Sequence, residues 1–258
     1  MRIFWQSFVD REIGADYLGR LSAYLGDIAA PGTEVVVEGM TPPDRDFGRL
    51  GEFRCAAQAI GQALTFEPGA YDAYVMGHFQ DPGLYELRAI LDIPVIGVGE
   101  AAILSGSTLG RRMGIITLAP EFEIYHHEQA DRYGLGARLV KVATVHSRPQ
   151  EFNASFAGNA AARASLMEKF RRAAGELTAA GADVILTGGV LPGLFVADMP
   201  GLTFGHAPVV NCASVALKSA EMWAQLHALD RLAPSRGPAF KTPEGDARTD
   251  FLGILAAK

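Results

Sequence analysis

The chain has 258 residues, 49% hydrophobic and 20% charged, with a formal net charge of −6. That length can bury one large core or two smaller ones, and the composition is ordinary for a globular fold. The acidic balance excludes a nucleic-acid binder, because no basic stripe exists to neutralise phosphates; Arg111-Arg112 and Arg171-Arg172 read as helix or loop ends. Two cysteines, Cys55 and Cys212, give no disulfide framework and predict a reducing, cytoplasmic setting. Residues 3–9 are apolar over strand length only, and Asp10-Arg11-Glu12 follows at once. Neither a signal peptide nor a membrane span is expected.

In chain order, apolar runs of strand length occur at residues 3–5, 34–37, 73–76, 95–98, 113–117, 139–142, 184–186 and 209–210. Helical stretches fall at 14–28, 53–64, 161–180 and 214–229. Nearly continuous hydrophobicity suits strands covered on both faces. The alternation predicts an α/β fold with parallel sheets and right-handed crossovers. The eight strands split into two sets of four, because the chain repeats itself. Residues 72–84 read D-A-Y-V-M-G-H-F-Q-D-P-G-L, and residues 183–194 read D-V-I-L-T-G-G-V-L-P-G-L. Asp72 aligns with Asp183, Gly77 with Gly188, and Pro82-Gly83-Leu84 with Pro192-Gly193-Leu194, an offset of 111 at the first two pairs. Residues 3–7 match 114–118 at that same offset, and 93–96 match 207–210. A unit this long is no solenoid repeat. It predicts two similar lobes, each a four-stranded, mostly parallel sheet flanked by helices, with a cleft between them. Residues 1–98 plus 211–230 form the expected first lobe and 99–210 the second. Residues 231–258 read as a Pro/Gly-rich tail, loosely ordered or laid over the surface or a neighbouring subunit.

In open parallel sheets, ligands bind beyond the carboxyl ends of the strands. The candidates there are Gln6 and Ser7; Gly77, His78, Phe79 and Gln80; Gly99 and Glu100; Thr117; Thr187, Gly188 and Gly189; and Asn211, Cys212, Ala213 and Ser214. Several precede helices, whose first N–H groups suit a carboxylate or enolate oxygen. Gly188-Gly189 can bring bare backbone close to a ligand, or simply make a tight turn. After the matched glycine one copy has His78 and the other Gly189, so the chemistry is expected to be asymmetric. An imidazole can give or take a proton near neutral pH. Cys212 reads either as a thiol near a helix start or as a small buried residue, and Cys55 as core. Trp5, Phe8, Phe79 and Phe195 read as apolar lining or as core. His126-His127-Glu128 reads as a solvated helix face, because neighbouring helical residues point apart, and no metal is expected. No phosphate loop or dinucleotide pattern occurs.

These residues resemble the aspartate/glutamate/hydantoin racemase superfamily, most closely its hydantoin-racemase-like branch, over about residues 2 to 229. The resemblance is carried by Gly77-His78-Phe79-Gln80-Asp81-Pro82-Gly83-Leu84, Pro94 to Ala102, Gly110 to Thr117, Arg132-Tyr133-Gly134-Leu135 and Gly181-Ala182-Asp183. It implies two pseudo-symmetric α/β lobes with the active site between them, no cofactor and a homo-oligomer. The family's racemases use two cysteines, one per lobe, on opposite faces of a carbon acid. Here His78 stands where the first would be and Gly189 where the second would be, and Gln6-Ser7 lacks the family's Asn-Pro-Asn pattern. The implied activity is isomerase-type proton transfer next to a carbonyl of a small carboxylate, amino-acid derivative or cyclic amide. His78 would be the acid/base, with Gln6, Ser7, Phe79, Thr117, Thr187, Gly188, Gly189 and Cys212 around the substrate. A decarboxylase, a ring-opening hydrolase and a non-catalytic binder are the alternatives.

Overall fold

The computed structural model describes residues 1–45 and 47–256. Its elements run β1 (Arg2–Gln6), α1 (Ala15–Ile28), β2 (Glu34–Glu38), α2 (Arg49–Ala63), β3 (Ala73–Met76), α3 (Leu84–Ile90), β4 (Val95–Gly97) and α4 (Val98–Leu109). They continue with β5 (Met113–Thr117), α5 (Phe122–Arg132), β6 (Leu139–Thr144), α6 (Pro149–Phe156), α7 (Ala160–Ala179), β7 (Val184–Gly188) and α8 (Val190–Val196). The last are β8 (Thr203–Phe204), β9 (Ala207–Val210), α9 (Cys212–Asp230) and α10 (Ala247–Ala256). The chain divides into two compact units. Unit 1 holds residues 1–77, 81–97 and 217–258, and unit 2 holds 78–80 and 98–216.

The fold is α/β, as the alternating pattern predicts. Unit 1 carries a sheet of order β2-β1-β3-β4, and unit 2 one of order β6-β5-β7-β9-β8. Every pair in the first sheet is parallel. In the second, only β8 runs antiparallel, on β9. Apart from that edge strand, the two sheets share one order, so the internal repeat is structural. Strands β3, β5 and β7 are buried at every position, which is why they read as unbroken apolar runs.

The pairing corrects one detail of the repeat. Gln6 pairs with Met76 and Ile116 with Thr187. Met76 and Thr187 are 111 apart, but Gln6 and Ile116 are 110 apart. Ser7 therefore corresponds to Thr117, not to Leu118. The repeated aspartates explain their own recurrence. Asp72 Oδ2 accepts the Arg2 N–H at 2.6 Å, and Asp183 accepts those of Arg112 at 2.8 Å and Arg111 at 3.1 Å. Each carboxylate thus pins the start of the neighbouring central strand, at the end of the sheet away from Gly77 and Gly188.

Unit 1 packs Phe4 against Phe66, Tyr71 and Tyr74, with ring centroids 4.9, 5.0 and 5.3 Å away. Cys55 lies in that core, and burial pushes its thiol up to about 11. Unit 2 packs Phe195 against Phe170 and Phe152, at 4.9 and 6.0 Å. Trp5, Phe8, Phe79 and Phe195 are all buried, which fits their reading as core. The Pro/Gly-rich tail has more structure than its composition predicts. Arg236 donates to the carbonyls of Arg88 and Leu91, each at 2.7 Å, and α10 lies against α2, with Leu255 over the bare Cα of Gly61. Among the described residues no helix is long and apolar enough to cross a membrane.

Candidate active site

The candidate residues gather at strand carboxyl ends within each unit. In unit 1, Gln6 and Ser7 follow β1 and are buried. The Gln6 amide nitrogen donates toward the carbonyls of Ser7, Glu38 and Gly39, at 3.0 to 3.5 Å. Its Oε1 and the indole Nε1 of Trp5 are buried without a hydrogen-bond partner. The two repeated glycines are needed for close approach. A Cβ on Gly77 would lie 2.2 Å from Trp5 Nε1, and one on Gly188 would lie 2.6 Å from Ile115 Cγ2.

In unit 2 the loop after β3 and the turn after β7 are tied to one buried polar chain. His78 is partly exposed and Phe79 buried. Gln129 Nε2 donates to the Phe79 carbonyl at 2.5 Å. The Gln129 Oε1 lies 3.5 Å from His126 Nδ1, and His126 Nε2 lies 3.0 Å from the Thr117 hydroxyl. That hydroxyl is also 3.3 Å from the Gly188 carbonyl. His126, Gln129 and Thr117 are each 0% exposed. The Phe79 ring meets the His126 ring edge to face at 5.0 Å. Burial, reinforced by the neighbouring His78 and His127, outweighs the Gln129 hydrogen bond and drives the His126 imidazole down to about 3.

The solvated-face reading of His126-His127-Glu128 is therefore corrected. Glu128 is exposed and His127 intermediate, but His126 points inward. Sequence reasoning missed His126 and Gln129 as parts of the site. A signal existed: on α5 the buried positions are Phe122, His126, Gln129 and Ala130, helical spacing with two polar members.

The second turn is tied to the start of α9. The Thr187 hydroxyl is donor to the Val210 carbonyl at 3.3 Å and acceptor of the Cys212 N–H at 3.0 Å. Cys212 is 0% exposed, and its thiol donates to the Gly189 carbonyl at 3.2 Å. Asn211 Nδ2 donates to the Gly193 carbonyl at 3.0 Å. Gly189 itself has φ 146° and ψ 156°. The structure thus seats Thr117, Thr187 and Cys212 inside the unit as supports of the two turns. It leaves His78 and Gly189 partly exposed.

At the end of β6 a surface hollow of about 390 Å³ is lined by His146, Ser147, Arg148, Gln150 and Glu151. The Glu151 carboxylate is occupied by the hydroxyls of Ser147 and Ser165 and the ammonium of Lys169, so it orders that segment. Among the described residues no group of three or more His, Cys, Asp or Glu side chains could hold a metal ion.

A family model described as Asp/Glu/Hydantoin racemase matches residues 14–220. The hydantoin racemase of Pseudomonas sp. (strain NS671) is 28% identical over 94 residues, 36% of this chain and 38% of that protein. The hydantoin racemase of Paenarthrobacter aurescens is 37% identical over 71 residues, 28% of this chain and 30% of that protein. The chain thus spans well under half the length of these curated relatives. Allantoin racemase from Klebsiella pneumoniae superposes with a TM-score of 0.78 at 24% identity, covering 96% of this chain and 95% of that one. The Pseudomonas fluorescens allantoin racemase gives 0.76 at 22%, covering 95% and 98%. At those identities the likeness establishes the fold. The family model spans most of the chain, and so the protein belongs to the Asp/Glu/Hydantoin racemase family.

Proposed function

We propose that this chain is a cofactor-independent, racemase-type enzyme. It moves a proton at a carbon next to a carbonyl in a small carboxylate, amino-acid derivative or cyclic amide. The observation that carries this reading is His78. Of residues 77–80 and 187–190, the two loops in question, only His78 has an ionisable side chain, and it is partly exposed. Its imidazole takes the proton from carbon, the electron pair moves onto the carbonyl oxygen, and the enolate takes a proton back. Backbone N–H groups of the Gly188-Gly189 turn are suited to the developing oxyanion. Family membership and the likeness to hydantoin and allantoin racemases favour a cyclic ureide.

A second reading is favoured by Gly189, which brings no side chain to the other turn. With one acid/base, the proton leaves and returns on one face, or the carbanion forms by decarboxylation.

Incubation in D2O with enantiopure allantoin, a 5-substituted hydantoin and an amino acid tests both. Deuterium entering the substrate is expected. His78→Ala should slow that exchange at least about 100-fold. Loss of optical activity during exchange indicates delivery from both faces, and retention indicates one. Exchange indifferent to His78→Ala, or no exchange with any such substrate, overturns the proposal.

A further inference from the structure

The buried chain through α5 carries a role for Gln129 and His126. Gln129 has one amide group, and its orientation is fixed by its partner. The carbonyl of Phe79 can only accept, so the nitrogen faces Phe79 and Oε1 faces His126. A neutral imidazole has one N–H to give. With it on Nδ1, the ring donates to Gln129 Oε1 and its bare Nε2 accepts the Thr117 hydroxyl at 3.0 Å. Every link then has one donor and one acceptor, running from Thr117 through His126 and Gln129 to Phe79. With the proton on Nε2, two lone pairs would face each other at 3.5 Å. The Gln129 contact therefore favours the Nδ1–H tautomer, with the Thr117 proton on His126 Nε2 and not on the Gly188 carbonyl.

The chain ends on the Phe79–Gln80 peptide, one residue beyond His78. Fixing the Phe79 carbonyl fixes the backbone from which the His78 side chain projects. The edge-to-face contact of Phe79 with the His126 ring holds the same residue from its side chain. With its one proton given to His126 Nε2, the Thr117 hydroxyl meets the Gly188 carbonyl at 3.3 Å as a contact and not as a second hydrogen bond.

We propose that Gln129 is a positioning residue, held in its orientation by His126, that aims the His78 imidazole by fixing the Phe79 carbonyl. This rests on the reading of His78 as the acid/base. Neither side chain reaches the surface, so neither touches substrate.

Gln129→Met keeps the volume and removes the hydrogen bonds. Amide hydrogen exchange of residues 79–81 should rise roughly tenfold, while that of β5 and β7 stays unchanged. Deuterium exchange into an optically active 5-substituted hydantoin should show kcat lowered about 10- to 100-fold with KM changed less than about twofold. His126→Leu should behave like Gln129→Met. His126→Asn, which retains a nitrogen where Nδ1 stands, should recover most of the loss. Unchanged loop exchange in both Gln129→Met and His126→Leu overturns the proposal, as does a loosened loop with kcat intact. If the parent chain turns over no carbon acid, the reading of His78 fails separately. The positioning claim then stands or falls on loop exchange and on the His78 imidazole NMR signals, which should shift in Gln129→Met; unshifted signals overturn it.

Discussion

Gly189 sits where backbone shape limits which residues the turn accepts. Its φ of 146° and ψ of 156° lie in a region that only glycine adopts without strain. The resemblance to racemases puts a cysteine at this point. Here the turn carries a glycine, in a backbone shape that a side chain opposes. Space alone is not the obstacle, because a Cβ would meet only Pro192, at 3.3 Å and beyond. Gly189→Cys should therefore lower stability by about 1–3 kcal/mol. In a chain of this size that is a fall of several degrees in Tm. Thermal melts of the two proteins check it, and an unchanged Tm would mean the turn relaxes freely and can carry a thiol. His78 stood out in the sequence as a candidate because it sits in a repeated motif whose other copy differs. His126 did not, because facing inward is decided by how α5 packs, and two adjacent histidines give no hint of which one turns in.

At the scale of elements, the repeat was readable but its register was not. Matching letters put residues 3–7 on 114–118, whereas strand pairing sets the first-strand offset at 110. Apolar residues in a doubly buried strand are interchangeable, so their identities do not fix an alignment to one residue. The aspartates fix it. Asp72 exchanges hydrogen bonds with Arg2, and Asp183 does so with Arg112. The short helix α8 escaped notice because Pro192 and Gly193 lie inside it, and β8 because it is two residues long. The Asp183 clamp has a pH signature. The Arg112 N–H, with that of Arg111, holds its carboxyl below the ordinary 3.8. A carboxyl lowered on folding stabilises the fold fully above its unfolded value, and that support is lost as pH falls through the lower, folded one. Asp183→Asn keeps one acceptor oxygen and loses the charge. Because the group is only partly buried, the loss should be about 1 kcal/mol near neutral pH. The gap between parent and variant should close below about pH 4. Urea titrations at a series of pH values measure it, and a gap that persists into acid would show that the charge is not what pins the strand.

Over the whole chain, the two units are built differently. Unit 2 is nearly one continuous stretch, residues 98–216 with the three-residue loop 78–80. Unit 1 needs three stretches, and its last begins at Leu217, within α9. What fastens that stretch is visible at Glu221, which is 4% exposed. Its Oε1 accepts the Ala30 N–H at 2.6 Å, just past the end of α1, and its Oε2 accepts from Lys218 at 2.8 Å. Burial alone would raise this carboxyl, but Lys218 and the Ala30 N–H outweigh it and keep the group below its usual range. Glu221→Leu would leave the Ala30 N–H without an acceptor, and an orphaned donor of that kind costs about 1–3 kcal/mol. Glu221→Gln keeps the acceptor and should lose less. Both tryptophans, Trp5 on β1 and Trp223 on α9, belong to unit 1, so indole fluorescence reports on this unit from either side of the fastening. In urea the fluorescence midpoint of Glu221→Leu should fall by about 1 M, with a smaller shift for Glu221→Gln. Equal shifts in the two variants would assign the fastening to the charge on Glu221 rather than to its bond with Ala30, and no shift in either would mean that apolar packing of α9 alone completes unit 1.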